Sequence, residues 1–303
     1  IKTSKELLPT PSKSHYVYNL RDISKVFQGM SRANEKSFTD DNDFIKLWAH
    51  ECMRVFSDRL ISEADQSYFK ELLKTITQTN FRREWGILVT VEPLLWADFV
   101  PTIYPDGDTS KKPLQNIYCE LTNRDFVREA SYKALESFND SQKVKLNLVL
   151  FMNAIEHVIR IVRVMKTTFG HALLVGVGGS GRKSLAYLAT FIAGYEVKQI
   201  EITKQYGQKE WAEDLMSIMS NAGLGRETVF IFTDTQLWKE SILEDISSLL
   251  NNGEVPNLFP NEEKAKIIEE ISEKMTQGNK NEQGTTSNPV KVPLRVQFER
   301  YLE

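Results

Sequence analysis

Hydrophobic residues recur at three- and four-residue steps through the first part of the chain, a spacing typical of packed helices. In one such stretch His50, Arg54 and Asp58 fall on the polar face. The apolar positions of that stretch are Phe44, Leu47, Trp48, Cys52, Val55, Phe56 and Leu60. Further on, turn-forming residues at Asp106-Gly107-Asp108 are surrounded by prolines, namely Pro93, Pro101, Pro105 and Pro113. Because proline removes a backbone donor and ends helices, an irregular connection is predicted there.

Strand-like and helix-like patterns alternate through the second half of the chain. After helical stretches at Asp125–Phe138 and about Leu148–Met165, the predicted elements are a strand at 172–175, a helix from about Ser184, a strand at Val197–Ile202, a helix at Lys209–Asn221, a strand at Thr228–Phe232 and a helix at Lys239–Leu250. This alternation predicts an α/β fold, a doubly wound parallel sheet with helices on both faces and ligands beyond the carboxyl ends of its strands. The polar tract Gln277–Gly284 predicts a mobile loop, and Gln297–Glu303 the start of a helix.

A glycine-rich loop follows the predicted strand at 172–175. Residues 172–184 read Ala-Leu-Leu-Val-Gly-Val-Gly-Gly-Ser-Gly-Arg-Lys-Ser. In the P-loop pattern G-x-x-x-x-G-K-[ST], glycines let consecutive backbone N–H groups curl around phosphate oxygens. Gly176 and Gly181 take the two glycine positions, and the residues between them are Val177, Gly178, Gly179 and Ser180. The loop therefore predicts a nucleotide site, with a ligand-free strand-to-helix turn as the alternative.

The two positions after the second glycine depart from the pattern. Arg182 stands where a Lys would reach the outer phosphates, and Lys183 where a Ser or Thr hydroxyl would meet Mg²⁺. Moving the frame by one residue fits Lys183 and Ser184 but puts Val177 and Arg182 in glycine positions, so the first register is preferred. Arginine keeps its charge but lacks the compact ammonium of lysine. Ser184 is rotated by about 100° on a helix and is a doubtful metal ligand. Binding is expected to survive better than hydrolysis.

The predicted strand Thr228–Phe232 is followed by Thr233-Asp234-Thr235. A P-loop ATPase uses an acid at such a strand end to hold Mg²⁺ through water, and usually a following Glu to activate the attacking water. Asp234 supplies the first residue, but Thr235 takes the place of the Glu and cannot act as a general base near neutrality. Glu240 is the nearest later carboxylate. The alternative for Asp234 is that it caps a helix near Trp238.

Composition narrows the classes of protein. A chain of 303 residues with 41% hydrophobic residues predicts about two folding units. A formal charge of −3, spread along the sequence, gives no reason to expect nucleic acid as a partner. Cys52 and Cys119 are far apart, which favours a reducing compartment over a disulfide framework and indicates no metal site. The apolar stretch Leu146–Met165 is interrupted by charges, so no membrane span is expected. A chain without an initiator Met is expected to be a segment of something longer.

Several separate blocks of sequence resemble dynein heavy chains. The blocks similar to the fourth AAA+ module of that family are Asn147–Phe151, Ala154–His157, Gly176–Arg182, Glu210–Asp214 and Asn252–Phe259. Leu8–Asp22 resembles the helical lid of the third module, so the resemblance covers the chain nearly end to end. The Gly-Arg form of the loop and Thr235 look more like axonemal than cytoplasmic dyneins, in which this module keeps Lys and Glu.

The resemblance implies an architecture. Residues 1–90 are the mainly helical lid of the preceding module, 91–122 a connecting segment, and 123–303 the P-loop subdomain, which stops before the family's γ-phosphate sensor and arginine finger. Arg21 matches the lid arginine that approaches the third module's nucleotide; a salt bridge with Asp22 or another acid is the alternative. The adenine of the fourth module is expected to lie against Leu148, Val149 and Phe151.

The resemblance also implies a function. The chain is expected to be a regulatory module that binds ATP or ADP with Mg²⁺, the metal near Asp234 and Ser184, and hydrolyses it weakly or not at all. It would support ATP-driven, minus-end-directed movement in cilia and flagella, within the cytoplasmic cytoskeleton of the axoneme. Implied partners are adjacent AAA+ modules, microtubules bound elsewhere in the heavy chain, and light and intermediate chains, with no membrane. An active P-loop ATPase and a nucleotide-free structural module are the alternatives.

Overall fold

The computed structural model describes residues 2–100, 117–168, 170–224 and 226–269. These residues form two compact units. The first takes its residues from 1–168 and 175–189, and the second takes its residues from 169–174 and 190–303. The boundaries expected from sequence, at residues 90 and 122, stay a prediction.

The first unit is mainly helical. Its helices are α1 (Lys2–Glu6), α2 (Leu20–Met30), α3 (Asp41–Cys52), α4 (Glu63–Asn80), α5 (Trp85–Leu88), α6 (Arg124–Ser141), α7 (Met152–Met165) and the start of α8 (Arg182–Ala193). Polar side chains cap the first turns of α2, α3, α4 and α6. Asn19 and Asp22 form a reciprocal capping box at α2, and Asp40 accepts the backbone N–H groups of Asn42 and Asp43 at α3.

A π-helical turn, Met53–Ser57, continues α3 without a break. After α5, the short strands β1 (Trp96–Ala97) and β2 (Cys119–Glu120) pair antiparallel. Trp96 and Tyr118, at this pair, belong to the same buried cluster as residues of α2, α3 and α4. Seven residues of α7 are buried, so this helix is also part of the interior.

The polar face predicted at His50, Arg54 and Asp58 is wrong for two of these residues, since only Asp58 is exposed. His50 is fully buried, and Arg54 is only 9% exposed. His50 Nδ1 lies 3.0 Å from the Leu94 carbonyl and Arg54 pairs with Asp58 at 3.3 Å, so these contacts replace part of the water that a surface position would give them. Phe44, expected in the apolar face, is instead 53% exposed.

The second unit contains the parallel pair β3 (Glu196–Lys198) and β4 (Thr228–Phe230), with Val197 opposite Val229. Helices α9 (Gln208–Gly223) and α10 (Ile242–Asn252) follow the two strands, and 261–269 are helical as well. Gly253 ends α10 in the left-handed conformation, where glycine avoids the penalty of a Cβ. The core residues are Ile200, Trp211, Leu215, Met219, Ile242, Val255 and Phe259.

The helices predicted within the described residues, and the second and third predicted strands, are present with shifted ends. The strand expected at 172–175 is not formed in the described residues, and Leu173 and Val175 are more than 80% exposed. A strand needs a partner, and the described residues supply only the β3–β4 pair in this unit. The tracts Gln277–Gly284 and Gln297–Glu303 lie outside the described residues. No helix in the described ranges is both long and apolar enough to cross a bilayer.

Candidate functional site

The glycine loop turns sharply into α8. Gly179 and Gly181 have φ of +77° and +78°, a conformation that strains residues with a Cβ. The turn is closed by a hydrogen bond from the Ser180 N–H to the Val177 carbonyl at 3.3 Å, and the Leu185 N–H then binds the Gly181 carbonyl at 2.9 Å as the helix begins. This is the geometry by which a loop directs backbone donors toward an anion at a helix N-terminus.

The loop has room and donors for phosphate. A Cβ added at Gly178, Gly179 or Gly181 would meet nothing within 4 Å, so the space above these residues is open. The N–H groups of the same three glycines donate no hydrogen bond within the part of the chain that the structure describes. Unpaired backbone donors in a glycine loop fit the charge and shape of a nucleotide phosphate.

Arg182 and Lys183 occupy different surroundings at the start of α8. The Arg182 guanidinium turns back along the loop, with Nη2 3.4 Å from the Val177 carbonyl oxygen. Lys183 is exposed, and its Nζ lies 5.8 Å from the centre of the Tyr187 ring. Ser184 is half-buried one position further along. Arg182 is thus the basic side chain that lies along the loop.

The residues expected to contact adenine precede α7. Val149 and Phe151 are 78% and 61% exposed, whereas Leu150 between them is buried and Leu148 is half-buried. The alternation arises because the backbone is extended there, with Phe151 at φ −79° and ψ 162°. Two apolar side chains are therefore presented to solvent, where a flat base could pack on them.

In the second unit, β4 runs into a 3₁₀ turn, Asp234–Gln236. Asp234 and Thr235 are exposed, and the Thr235 N–H donates to Asp234 Oδ1 at 3.0 Å. Helix α10 begins only at Ile242, after Ser241, so Asp234 does not cap it. Glu240 is exposed before that helix. The carboxylate at the strand end is thus available to a ligand, as the metal prediction requires.

Arg21 lies exposed on α2. The salt bridge with Asp22 that was its alternative is not formed; Asp22 instead binds Nη2 of Arg59 at 2.6 Å and accepts the Asn19 N–H. The assignment of Arg21 to the nucleotide of a preceding module stays a prediction.

Sequence reasoning missed a buried polar network in the first unit. Glu51 of α3 is fully buried and accepts a hydrogen bond from Nε of Arg163 of α7 at 3.0 Å and another from its Nη2. The Tyr118 hydroxyl donates to the other carboxylate oxygen at 2.7 Å. Burial opposes the charge of Arg163, but the hydrogen bonds and charge of Glu51 outweigh it and raise the pKa of Arg163. Gly29 of α2 faces the pair, and a Cβ there would overlap the Glu51 carboxylate.

Further charges extend this network. Arg32 lies 4.5 Å from the centre of the Tyr118 ring and donates to the Arg163 carbonyl at 3.2 Å, and Asp98 binds both Arg32 and Lys166. The available signal in the sequence was the pair of arginines, Arg160 and Arg163, within the apolar stretch Leu146–Met165. Charges in an apolar helix require buried partners, although the sequence does not say which.

A glycine loop with left-handed residues opening a helix, together with a parallel strand pair that ends in an aspartate, is typical of the P-loop nucleotide-binding class. The family comparisons agree. A model described as "AAA+ lid domain" matches residues 1–84, and one described as "P-loop containing dynein motor region D4" matches residues 146–292. The predicted fold class, an α/β AAA+ fold preceded by a helical lid, is confirmed.

Similar proteins narrow the class to one family. The chain is 44% identical over 278 residues to human dynein axonemal heavy chain 3, covering 90% of the chain. It is 44% identical over 266 residues to mouse dynein axonemal heavy chain 2 and 40% identical over 270 residues to the dynein-1-beta heavy chain of the Chlamydomonas reinhardtii flagellar inner arm I1 complex, covering 87% and 88% of the chain. The chain belongs to the dynein heavy-chain family and is of the axonemal type, which places it in the cytoskeleton of cilia and flagella. It spans 6–7% of the length of these relatives.

Proposed function

We propose that this segment is a regulatory AAA+ module that holds ATP or ADP and hydrolyses it weakly or not at all. The observation that carries the binding proposal is the loop at 176–181, where open space lies above three glycines whose N–H groups have no partner in the described chain. Phosphate oxygens are the ligands that such donors fit. Arg182 would add a permanent charge beside them, although its planar fork differs from the lysine ammonium.

Two further parts of the site, and a role outside it for Arg21, follow from this proposal. Val149 and Phe151 would pack on the adenine ring, since both are apolar and exposed. Asp234 would hold Mg²⁺ through water, and Ser184 would be a weaker second candidate. A bound Mg²⁺ would neutralise the outer phosphates. Arg21 would act on the nucleotide of a preceding module rather than on this one.

Weak hydrolysis is proposed from the residue after Asp234. Thr235 brings no carboxylate to the position that activates water, and its hydroxyl lies 2.9 Å from that of Thr233. The module would then act through occupancy: bound nucleotide would set the geometry between adjacent AAA+ modules without a chemical step. For the whole heavy chain, we propose ATP-driven, minus-end-directed movement on microtubules with light and intermediate chains as partners.

The binding proposal is tested by counting nucleotides retained by the purified heavy chain, using mass spectrometry after denaturation. Arg182→Ala is expected to lower the count by one per heavy chain relative to the unchanged protein. Arg128→Ala is the control, because it removes the same charge from an exposed position on α6. An unchanged count in Arg182→Ala would show that the loop is an empty structural turn.

The hydrolysis proposal is tested by supplying the missing carboxylate. Hydrolysis is followed in single-turnover measurements, and the nucleotide of this module is identified as the part of the bound nucleotide that is lost in Arg182→Ala. Thr235→Glu is expected to speed hydrolysis of that part by roughly a hundredfold, the usual contribution of a positioned general base. Thr235→Gln is the matched control and should remain slow. Rapid hydrolysis by the unchanged chain would instead support the active ATPase.

A further inference from the structure

Gln236 is almost fully buried, at 6% exposure, although Asp234 and Thr235 just before it are exposed. Both the oxygen and the nitrogen of its side-chain amide form hydrogen bonds. Oε1 accepts hydrogen bonds from the N–H of Thr233 at 2.7 Å and from its hydroxyl at 3.0 Å, and Nε2 donates to the carbonyl of Ile200. A buried amide with all of these partners has one fixed orientation, because a carbonyl such as that of Ile200 can only accept.

These bonds join the ends of two strands. Ile200 follows β3 and Thr233 follows β4, beyond the paired residues Lys198 and Phe230. One side chain therefore ties together the two chain segments where they leave the parallel ladder. Ligands of parallel α/β sheets bind at such strand ends, so the tie lies where positioning matters.

The same bonds continue to the exposed residues. Since the Thr233 hydroxyl donates to Gln236, it accepts from the Thr235 hydroxyl at 2.9 Å, and the Thr235 N–H in turn donates to the Asp234 carboxylate at 3.0 Å. The chain of hydrogen bonds thus runs from the Ile200 carbonyl to Asp234. Because the hydroxyl proton of Thr235 is used in the hydrogen bond to Thr233, the Thr235 hydroxyl oxygen can accept a hydrogen bond from a water.

We infer that Gln236 is a positioning residue for the proposed metal ligand Asp234, acting through Thr233 and Thr235 to fix its carboxylate. This inference rests on the proposed nucleotide binding. Gln236 need not touch metal or nucleotide; its effect on both passes through the end of β4.

The first test needs no nucleotide. In the metal-free heavy chain, Gln236→Met removes all three side-chain hydrogen bonds at similar side-chain length. It should speed amide hydrogen exchange at Thr233 and Thr235 by roughly three- to tenfold, the range expected for one hydrogen bond. Gln236→Glu retains the acceptor for Thr233 and should restore much of the protection at that amide. Gln208→Met, on an exposed residue of α9, is the control. Unchanged exchange in Gln236→Met would overturn the inference.

The second test separates positioning from general support of the fold. The Mg²⁺ concentration for half-maximal nucleotide retention is measured for Gln236→Met, Asp234→Asn and the double variant. Gln236→Met should raise it by roughly three- to tenfold when Asp234 is present and leave it unchanged in the Asp234→Asn chain. An equal rise in both chains would show a structural role only.

The two proposals fail differently in this experiment. If Arg182→Ala does not reduce the nucleotide count, the nucleotide site is wrong and the role of Gln236 is wrong with it. If Arg182→Ala empties the site, and Gln236→Met and Asp234→Asn have additive effects on the Mg²⁺ concentration for half-maximal retention, only the role of Gln236 is wrong.

Discussion

At the scale of single residues, burial decides the chemistry of groups that look reactive in the sequence. Cys52 is 8% exposed at the end of α3. Burial, and then the neighbouring charge of Glu51, raises the pKa of its thiol to about 12. The thiolate is the nucleophile, so this cysteine should be inert.

We therefore expect iodoacetamide at pH 8 to leave Cys52 unmodified in the native heavy chain, as measured by peptide mass spectrometry. Denatured chain should be labelled at the same residue, which serves as the control. Labelling of the native chain at the rate of an exposed cysteine would contradict the assignment.

His50 makes the fold sensitive to acid. Its Nδ1 lies 3.0 Å from the Leu94 carbonyl, which only accepts, so this nitrogen carries the proton. Burial, followed by the charges of Arg54 and Arg163, lowers the pKa of His50 well below 6.5. The unfolded chain therefore binds more protons than the folded one below pH 6.5, and stability falls as the pH decreases from that value toward the folded pKa.

The free energy of unfolding should fall by up to about 1.4 kcal/mol for each unit of decrease in pH, the value for the uptake of one proton on unfolding. It is measured as the opening free energy of α3 from amide exchange, corrected for intrinsic rates, between pH 5 and 7. His50→Asn retains a donor for the Leu94 carbonyl and cannot titrate, so its slope should be smaller by that amount. An equal slope in the two chains would assign the acid sensitivity to other groups.

At the scale of elements, one buried ion pair connects three of them. Glu51 of α3, Arg163 of α7 and Tyr118, the residue just before β2, share hydrogen bonds in the interior. Burial and the Glu51 charge also raise the pKa of Tyr118 well above its usual value, so the phenol stays a donor. A buried pair of this kind is costly to break from one side, because the remaining charge has no partner.

Glu51→Gln should destabilise the first unit by about 3–5 kcal/mol, the loss typical when one partner of a buried pair is removed. Amide exchange of α7 in the heavy chain measures it. The double variant Glu51→Leu with Arg163→Met leaves no lone charge and should recover most of the loss. Equal destabilisation in the single and double variants would contradict the ion pair's role.

The elements were largely predictable because they depend on local patterns. Apolar spacing located α6, α7 and α9 to within a few residues, and glycines located the loop before α8. The buried network was not predictable, since Glu51 and Arg163 are 112 positions apart and only the folded chain pairs them. The same holds for Gln236, whose partner Ile200 follows β3 and is 36 positions away. In contrast, the strand expected at 172–175 failed because an apolar run does not supply its own partner.

At the scale of the whole molecule, the segment is a small part of a heavy chain, and its proposed action is on its neighbours. A module that acts by occupancy should matter to movement even though it turns over little nucleotide. Removing the nucleotide of this module and removing the Thr235 hydroxyl should then have different effects.

In microtubule gliding with the intact heavy chain, Arg182→Ala is expected to change velocity at least roughly twofold, corresponding to a modest coupling energy between sites. Thr235→Val, which removes the hydroxyl, should leave velocity near that of the unchanged chain. If Thr235→Val slows gliding as much as Arg182→Ala does, turnover at this module contributes to movement and the occupancy mechanism is wrong.

The position of Gly29 indicates how an inherited substitution there would affect the molecule. In most helices an alanine in place of glycine is favourable by about 1 kcal/mol. Here the added methyl would displace the Glu51 carboxylate and approach Nη2 of Arg163 to 3.0 Å, and both Gly29 and Glu51 are buried. A missense variant at Gly29 that a substitution matrix scores as mild should therefore be ranked with the loss of Glu51 itself when heavy-chain variants are interpreted.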